Sequence, residues 1–246
     1  MGGSGPMRAV ILAGGKGTRL RPYTTTLPKP LMPVGDRPIL NLVMDGLRAA
    51  GVERVTLAVN HMAEVIMAFF GSGEKFGLRI DYSVEDKPLG TIAPLKLIKD
   101  LPENFIVMNG DTLTDIDYVA LYEAHIDSAR PLTIATHRRQ VKVDFGVLEV
   151  DEASGSVASF REKPTNHFEV SMGVYVFNRS LLERVPDDEP YGLDDLVLGM
   201  LQDGQPINAY RFDGYWLDIG RPDDYDRANE DVEGLDLRGS GSPDTI

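Results

Sequence analysis

Residues 8–22 of the chain read RAVILAGGKGTRLRP, a short apolar run followed by a loop rich in glycine and basic side chains. The run at 8–12 has the length of a buried β-strand. Gly14, Gly15 and Gly17 allow backbone N–H groups to approach an anion closely, because glycine has no Cβ. The stretch therefore predicts a first strand that leads into an anion-binding loop; a tight turn without a ligand is the alternative.

Strand and helix patterns alternate after this loop with the spacing of βαβ units. Strands are predicted at 54–59, 79–83, 104–108 and 132–136, and helices at 38–50, 62–70, 91–99 and 117–127. Further on, period-2 strands are predicted at 145–150, 156–161 and 170–177, a short strand at 207–212, and helices near 179–184, 193–202 and 222–230.

This order of elements predicts an α/β fold with a doubly wound, mostly parallel (Rossmann-like) sheet and a smaller antiparallel β extension. Ligands of such sheets bind beyond the carboxyl ends of the strands. The loops after 8–12 and after 104–108 are therefore where a site is expected.

The composition excludes several classes of protein. The chain has 246 residues with 25 Lys and Arg against 38 Asp and Glu, a net charge of −13. An acidic chain argues against nonspecific binding to nucleic acid, which needs a broad basic surface. No apolar run approaches the roughly 18 residues of a membrane helix, and without cysteine there are no disulfides or thiolate metal sites. We expect a cytoplasmic protein with neither a nucleic acid nor a membrane as partner; a homo-oligomer is left open.

Three segments are distinguished along the chain. Residues 1–6 (MGGSGP) are interpreted as a linker or a remnant of cloning, 7–234 as a single domain, and 235–246 as a flexible tail rich in Gly, Ser and Pro. Residues 1–35 contain five basic side chains and no acidic one. This asymmetry indicates an anion site or, equally, chance clustering.

Two well-known phosphate-binding motifs do not fit the loop. A Walker A motif requires Ser or Thr after its lysine, but Lys16 is followed by Gly17. A dinucleotide fingerprint beginning at Gly15 requires glycine where Leu20 stands. An NAD-binding dehydrogenase is therefore disfavoured.

The pattern L-A-G-G-x-G-T-R-L-x-P-x-T at 12–24, followed by P-K-P at 28–30, resembles the signature of sugar-1-phosphate nucleotidyltransferases. The resemblance covers roughly 7–232 and includes PLGT (88–91), NGD (109–111), EKP (162–164) and WLDIG (216–220). It implies transfer of a nucleotidyl group from an NTP to a sugar 1-phosphate, with release of pyrophosphate and with Mg²⁺ as cofactor.

The segments PLGT and EKP resemble mannose-1-phosphate guanylyltransferase-like members, which favours GTP and mannose 1-phosphate or a related sugar. The alternatives are a uridylyl- or thymidylyltransferase acting on glucose 1-phosphate or another hexose or heptose 1-phosphate, and a catalytically silent regulator that binds nucleotide sugars.

The resemblance also implies roles for individual residues. Arg19, Lys29, Lys163 and Asp111 would be catalytic, and Asp111 and Asp218 would bind Mg²⁺. The sugar phosphate would contact Gly146, Glu162, Lys163 and Gly173. The nucleotide would contact Leu12, Ala13, Gly14, Gly15, Gly17, Thr18, Arg19, Glu85, Pro88, Gly90 and Asp111; Glu85 would accept hydrogen bonds from guanine N1–H and N2–H.

Structural interpretations of the same residues stay open at this point. Asp111 could form an Asx turn, Asp218 could cap the helix that begins near Arg221, and Glu162 and Lys163 could be a solvated pair. PLGT alone is a turn and a helix cap. The four histidines lack ligand spacing, and the basic residues Arg138, Arg139 and Lys142 are interpreted as ordinary surface.

Overall fold

The computed structural model describes residues 7–234. The linker predicted at 1–6 and the tail predicted at 235–246 lie outside the described residues, and the extent of the domain stays a prediction. The strands are β1 (Arg8–Leu12), β2 (Pro33–Val34), β3 (Arg37–Pro38), β4 (Arg54–Val59), β5 (Arg79–Val84), β6 (Asn104–Asn109), β7 (Thr112–Thr114), β8 (Leu132–Lys142), β9 (Val147–Val150), β10 (Val157–Arg161), β11 (Thr165–Asn178), β12 (Asn208–Arg211) and β13 (Trp216–Asp218).

Five α-helices lie within the described residues: α1 (Ile39–Ala49), α2 (Ala63–Phe70), α3 (Tyr118–Ser128), α4 (Leu193–Gln202) and α5 (Pro222–Asp231). Short 3-10 helices occupy Thr18–Leu20, Tyr23–Thr25, Lys29–Leu31, Glu74–Phe76, Ala93–Leu97, Arg179–Arg184 and Val232–Gly234. In the part of the chain that the structure describes, no helix has both the length and the apolar character needed to cross a bilayer.

Seven strands form one sheet in the order β12-β8-β11-β6-β1-β4-β5. β1 pairs in parallel with both β4 and β6, and β4 pairs in parallel with β5. β11 runs antiparallel to both of its neighbours, β6 and β8. The predicted α/β class with a mostly parallel sheet is therefore confirmed.

The position of β11 differs from the prediction, which placed residues 170–177 in a smaller extension. β11 instead lies inside the main sheet, because its end is apolar on both faces. Val174 and Val176 are buried on one side of the sheet, and Tyr175 and Phe177 on the other. Of the strands predicted in the extension, β9 and β10 form an antiparallel hairpin separate from the main sheet.

The prediction of a long helix at 91–99 is wrong. The segment contains only a short 3-10 helix, Ala93–Leu97. The backbone N–H groups of Ile92 and Ala93 both donate to the carbonyl of Tyr191, at 3.0 and 3.2 Å. Pro94 has no N–H to donate to a helix. These tertiary hydrogen bonds tie the segment to the start of α4.

Two three-residue strands were not predicted, and they position the site. β7 follows directly on Asp111, and β13 ends at Asp218. The two strands pair antiparallel, with Asp218 opposite Thr112. Segments this short carry no readable periodicity, yet they bring two carboxylates 107 positions apart in the sequence to one edge of the sheet.

A buried polar network lies at the opposite end of β6. The amide oxygen of Asn104 accepts from Asn178 Nδ2 at 2.9 Å and lies 3.1 Å from His125 Nε2. An amide oxygen only accepts, so Nε2 carries the ring proton. His125 Nδ1, 2.9 Å from the hydroxyl of Thr133, is then the acceptor, and that hydroxyl in turn accepts from Asn208. Burial lowers the pKa of His125, so this network holds the neutral ring.

This network predicts a pH dependence of stability. The pKa of His125 is lower in the folded than in the unfolded chain. Its contribution to stability is therefore fully present above the ordinary histidine pKa of about 6.5 and decreases as the pH falls below that value. We expect His125→Gln to destabilise the protein by about 1–3 kcal/mol at pH 7.5, through loss of a buried partner, and to weaken the dependence between pH 7 and 5. Thermal unfolding across this range measures both effects.

The exposed His167 provides the control. His167→Gln is expected to keep the wild-type pH profile. Parallel unfolding profiles for the wild type and His125→Gln would contradict the assignment.

Candidate functional site

An open cavity of about 530 Å³ lies at the carboxyl ends of β1, β4, β5 and β6, and we call it the first cavity. It is lined by residues that the sequence predicted as functional: Leu12, Ala13, Gly14, Gly15, Lys29, Glu85, Pro88, Gly90 and Asp111. Its remaining lining residues are Lys16, Pro30, Asn60, Thr91, Asn109 and Gly110. The location agrees with the rule for ligands of open α/β sheets.

Gly14 and Glu85 form one wall of the first cavity, together with Asn60, which was not predicted. A Cβ on Gly14 would lie 3.1 Å from Glu85 Oε1 and 3.2 Å from Asn60 Cβ, so the backbone approaches both side chains closely. Asn60 follows β4 directly. Its place at the carboxyl end of a parallel strand is the signal that could have identified it.

Glu85 is held in place by its own surroundings. The N–H of Leu89 donates to Oε2 at 3.1 Å, and Asn60 also hydrogen-bonds the carboxylate. Burial raises the pKa of Glu85, and these two hydrogen bonds partly oppose the effect. A carboxylate has about four acceptor positions, so Glu85 can still accept from a ligand.

Gly90 closes the far side of the first cavity. Its φ is +86°, and a Cβ there would lie 2.9 Å from the carbonyl oxygen of Tyr191. Both facts require glycine. PLGT is therefore a turn with a backbone constraint, and that backbone faces the cavity.

Lys29 and Asp111 form an ion pair at the base of the first cavity. The Lys29 side chain is only 10% exposed and that of Asp111 25%. Gly17, with φ +59°, packs against Lys29: a Cβ there would lie 3.2 Å from Lys29 Cβ. Asp111 pairs with a lysine from the first loop, and its carboxylate makes no Asx hydrogen bond within residues 7–234. The pair joins the first loop to the end of β6.

Asp218 lies next to this pair. The N–H of Ile219 donates to the backbone carbonyl of Asp111 at 3.1 Å. Burial raises the pKa of Asp218, and the nearby Asp111 carboxylate raises it further, against the opposing charges of Lys29 and Arg19. No donor within residues 7–234 contacts its carboxylate, and the first turn of α5 has no side-chain cap.

The adjacent carboxylates of Asp111 and Asp218 fit a divalent cation, because the half-buried Asp218 carboxylate has no hydrogen-bond donor within residues 7–234. Mg²⁺ takes few carboxylates and completes its ligands with water and phosphate oxygens. Among the described residues no group of three or more His, Cys, Asp or Glu side chains could hold a metal, so Asp111 and Asp218 would need such additional ligands.

Arg19 and Thr18 do not line the first cavity. Arg19 belongs instead to a second cavity of about 420 Å³, which also includes Asp218. A Cβ on Gly220 would lie 3.3 Å from both Arg19 Nη2 and Asp218 Oδ2, so the two side chains border the same point. Thr18 is exposed and begins the 3-10 helix that contains Arg19.

The residues predicted for the sugar lie in two places. Gly173, with φ +75° at an irregularity of β11, packs against Asn109 of the first cavity; a Cβ there would lie 2.6 Å from Asn109 Nδ2. Gly146 packs against Phe160 and Glu162. Glu162 and Lys163 face each other at 4.0 Å and are more than half exposed. Gly146, Glu162 and Lys163 do not line the first cavity.

Known proteins resemble this chain in sequence and in fold. The family model described as "Nucleotidyl transferase" matches residues 8–234. The chain belongs to this family. It is therefore a nucleotidyltransferase-family protein, as the resemblance of residues 12–30 implied.

Individual relatives are named for several bases and sugars. The chain is 32% identical to a UTP–glucose-1-phosphate uridylyltransferase from Synechocystis over 94% of its own length, and 65% of that relative is covered. It is 34% identical to a mannose-1-phosphate guanyltransferase from Yarrowia lipolytica, with 89% and 62% covered. The chain thus spans less than two thirds of the length of these curated relatives.

One solved structure is matched over nearly the whole of its own length. HddC from Yersinia pseudotuberculosis shares 30% identity with the chain at a TM-score of 0.72, covering 92% of this chain and 99% of HddC. HddC has also been crystallised in complex with GMP-PN; that structure has a TM-score of 0.70 and 29% identity. These likenesses support the mostly parallel fold described above.

The electrostatics of Asp218 predict that its charged side chain destabilises the folded protein. Because its folded pKa is raised, the charged carboxylate opposes folding above that pKa, and stability rises as the pH falls through it. Asp218→Asn should therefore raise stability by about 0.5–1 kcal/mol at pH 7.5, and by less at lower pH. Thermal unfolding in EDTA measures the change.

Asp223→Asn, which removes an exposed carboxylate from the first turn of α5, is the control and should not stabilise the protein, since acidic side chains favour a helix N-terminus. A lower melting temperature for Asp218→Asn in EDTA would contradict this account.

Proposed function

We propose that the chain is a sugar-1-phosphate nucleotidyltransferase, which joins an NTP to a sugar 1-phosphate and releases pyrophosphate, with GTP and mannose 1-phosphate or a related sugar as substrates. The observation that carries the proposal is the Lys29–Asp111 pair beside Asp218, at the base of a cavity formed by the glycine loop. The proposed partners are the two substrates; a cytoplasmic location stays a prediction.

The nucleoside would lie in the first cavity. Gly14 and Gly90 line this cavity with backbone only, against which a flat base would lie. Glu85, fixed by Leu89 and Asn60, is the group that would accept the N1–H and N2–H donors of guanine. Two adjacent donors are a feature of guanine and are absent from uracil and thymine, which supports GTP.

The triphosphate would follow the first loop. The backbone of Gly14 and Gly15 supplies N–H donors, and a Cβ at Gly15 would meet nothing within 4 Å, so the loop is open there. Lys29 would contact the α-phosphate and Arg19 the β- and γ-phosphates. Both cations neutralise charge that develops on the leaving pyrophosphate, which is the main contribution expected of a protein to phosphoryl-type transfer.

Asp111 and Asp218 would hold Mg²⁺. When bound, the ion supplies a positive charge that stabilises the phosphate oxygens. Lys29 shares Asp111 and therefore positions this carboxylate whether or not the ion is present.

The sugar 1-phosphate would approach from the side of Gly173, with Glu162 contacting sugar hydroxyls and Lys163 holding the phosphate. One of its phosphate oxygens forms the new bond to the α-phosphorus, while the bond between the α-phosphorus and the bridging oxygen breaks and its electron pair leaves with pyrophosphate. A phosphate monoester is already ionised near pH 7, so no general base is required. Positioning and charge neutralisation account for the catalysis.

A pyrophosphate-release assay tests the proposal. With Mg²⁺ and a grid of GTP, UTP, dTTP, ATP and CTP against hexose and heptose 1-phosphates, we expect the highest kcat/KM for GTP with mannose 1-phosphate or a related sugar. Lys29→Met, Asp111→Asn and Asp218→Asn should each lower kcat by at least about a hundredfold, the size found when one charge-stabilising group is removed.

The outcomes of this grid separate the alternatives. Turnover with UTP or dTTP and glucose 1-phosphate would favour the uridylyl- or thymidylyltransferase, the activity named for the Synechocystis relative. If no combination releases pyrophosphate, the result favours the catalytically silent regulator. Full activity of both aspartate variants would refute the metal assignment even if the reaction is correct.

The base preference depends on Glu85. Glu85→Gln keeps the size of the side chain but replaces one accepting oxygen with a donor, which opposes a donor of guanine. We expect kcat/KM for GTP to fall by about tenfold to a hundredfold, equivalent to roughly 1.4–2.8 kcal/mol, while activity with inosine triphosphate, which lacks the N2–H donors, falls less. Equal losses for the two nucleotides would show that Glu85 does not read the N2 amino group.

A further inference from the structure

We propose that the hairpin of β9 and β10 binds the same hairpin of a second copy of this chain through its apolar face. The contact would support the base of the hairpin, where Glu162 and Lys163 are proposed to bind the sugar 1-phosphate. The pairing of two copies depends on the hairpin surface alone, whereas its effect on the sugar 1-phosphate rests on the proposed function.

Four apolar side chains share one face of the hairpin. Leu148 and Val150 are two positions apart on β9 and therefore point to the same side. Phe160 is paired with Leu148 and Val157 with Val150, and directly opposite residues of an antiparallel pair share a face. Gly146, two positions before Leu148, agrees with this arrangement, because a Cβ there would lie 2.6 Å from the ring of Phe160.

This face is uncovered within residues 7–234. Leu148 is 52% exposed, Val150 53%, and Val157 and Phe160 are each 60% exposed. The hairpin pairs with no strand of the main sheet. A two-stranded hairpin is only marginally stable in water by itself and needs packing against a further surface. The apolar face therefore requires an occupant.

The hairpin presents this face in one defined shape. Its turn is fixed by Asp151, whose Oδ1 accepts from both the N–H and the hydroxyl of Ser154 at 2.7 Å. The N–H of Asp151 donates to the carbonyl of Ser156 at 2.9 Å. The reverse face carries the cross-strand pair Glu149 and Ser159 and is polar there. The hairpin is therefore an amphipathic ribbon, polar on one side and apolar on the other.

The charges at the two ends of the hairpin favour a second copy as the occupant. The tip carries Asp151 and Glu152, and neither forms an ion pair within residues 7–234. At the base, Glu162 lies beside Lys163, and Arg161 has no carboxylate partner in the same range. If two hairpins pack antiparallel about a two-fold axis, the acidic tip of each lies beside Arg161 of the other. A surface that complements itself in this way is what a two-fold dimer requires.

The terminal segments of this sequence are poor candidates for covering the face. Residues 1–6 and 235–246 contain four large apolar side chains, and these are separated by glycine, serine and charged residues: Met1, Leu235, Leu237 and Ile246. They form no alternating apolar run that could match a strand face.

The interface extends beyond the hairpin. A stable contact between proteins buries about 800 Å² on each partner, which is more than four half-exposed side chains supply. Phe145, just before β9, is 77% exposed, and Phe168 on β11 is 51% exposed. These two rings flank the hairpin along the chain and would add to the buried area.

The base of the hairpin is where a second copy would affect the reaction. Glu162 lies on the side of Phe160, because a Cβ on Gly146 would be 3.3 Å from Glu162 Oε2. Lys163 has φ +42°, a conformation that a residue with a Cβ keeps only where its surroundings hold it. Glu162 and Lys163 are more than half exposed and line neither cavity. Packing against Phe160 would therefore fix the position of both side chains.

Sedimentation velocity of the full chain over a concentration series measures the association. We expect the wild type to sediment as a dimer at micromolar concentration. Leu148→Thr/Val150→Thr/Val157→Thr removes apolar surface but keeps a residue that favours strands, and it should raise the Kd of the dimer at least about a hundredfold. Leu198→Gln/Leu201→Gln on α4, where both side chains are similarly exposed, is the matched control and should stay dimeric.

A charge exchange tests the antiparallel arrangement. Glu152→Lys and Arg161→Glu should each raise the Kd by about threefold to tenfold at low salt, because each places like charges together. The double variant restores opposite charges and should return to within about twofold of the wild-type Kd. A double variant that binds as weakly as the single variants would refute the arrangement.

The pyrophosphate-release assay supplies the second readout. At concentrations where the wild type is dimeric and the threonine variant monomeric, the KM of the variant for the sugar 1-phosphate should be about tenfold higher, while its KM for the NTP stays within about twofold. Circular dichroism of the variant that matches the wild type shows that the fold is intact.

Three results would overturn the inference: a wild type that stays monomeric up to about 0.1 mM, a wild-type Kd in the threonine variant, or an unchanged KM for the sugar 1-phosphate in the monomeric variant. The first would leave the face to a different protein, and the second would place the dimer contact elsewhere. Failure of the proposed function is a separate result, namely no turnover with any NTP and sugar 1-phosphate, and sedimentation remains interpretable in that case.

Discussion

The ion pair between Lys29 and Asp111 is the interaction on which the site depends. It connects the loop after β1 to the end of β6, two adjacent parallel strands whose carboxyl ends form the floor of the first cavity. Removing one partner of a largely buried pair costs about 3–5 kcal/mol, since the other charge is left without compensation. Asp218 adds a second carboxylate with no donor of its own, so the local charge is balanced only when a cation or a positively charged loop is near. The charged Asp218 side chain therefore lowers the stability of the folded protein.

Strand β11 contacts residues that line each of the two cavities. β11 is inserted antiparallel between β6 and β8, and its irregularity at Gly173 brings the backbone against Asn109. The carbonyl of Met172 also accepts from Trp216 Nε1 at 2.9 Å. β11 thus contacts the end of β6 and the strand that carries Asp218. A single strand thus connects the proposed acceptor side of the site with the proposed metal ligands.

Much of the fold and of the site is readable from residues with a strong local pattern. The loop at 12–24 and the aspartates in NGD and WLDIG stand out because glycines and carboxylates at this fixed spacing match a long and specific signature. Asn60 was not predicted, because a single asparagine after a strand does not form a recognisable motif. The pairing of β7 with β13 and the central place of β11 depend on contacts between distant segments, which periodicity does not encode.

The pairing of β7 with β13 has a consequence for how the protein is made. Asp111 is synthesised about halfway along the chain, but the strand that completes its surroundings ends at residue 218. A domain folds as a unit, so the surroundings of Asp111 are complete only after residue 218 has left the ribosome. A chain that ends before β13 cannot bring the two aspartates together.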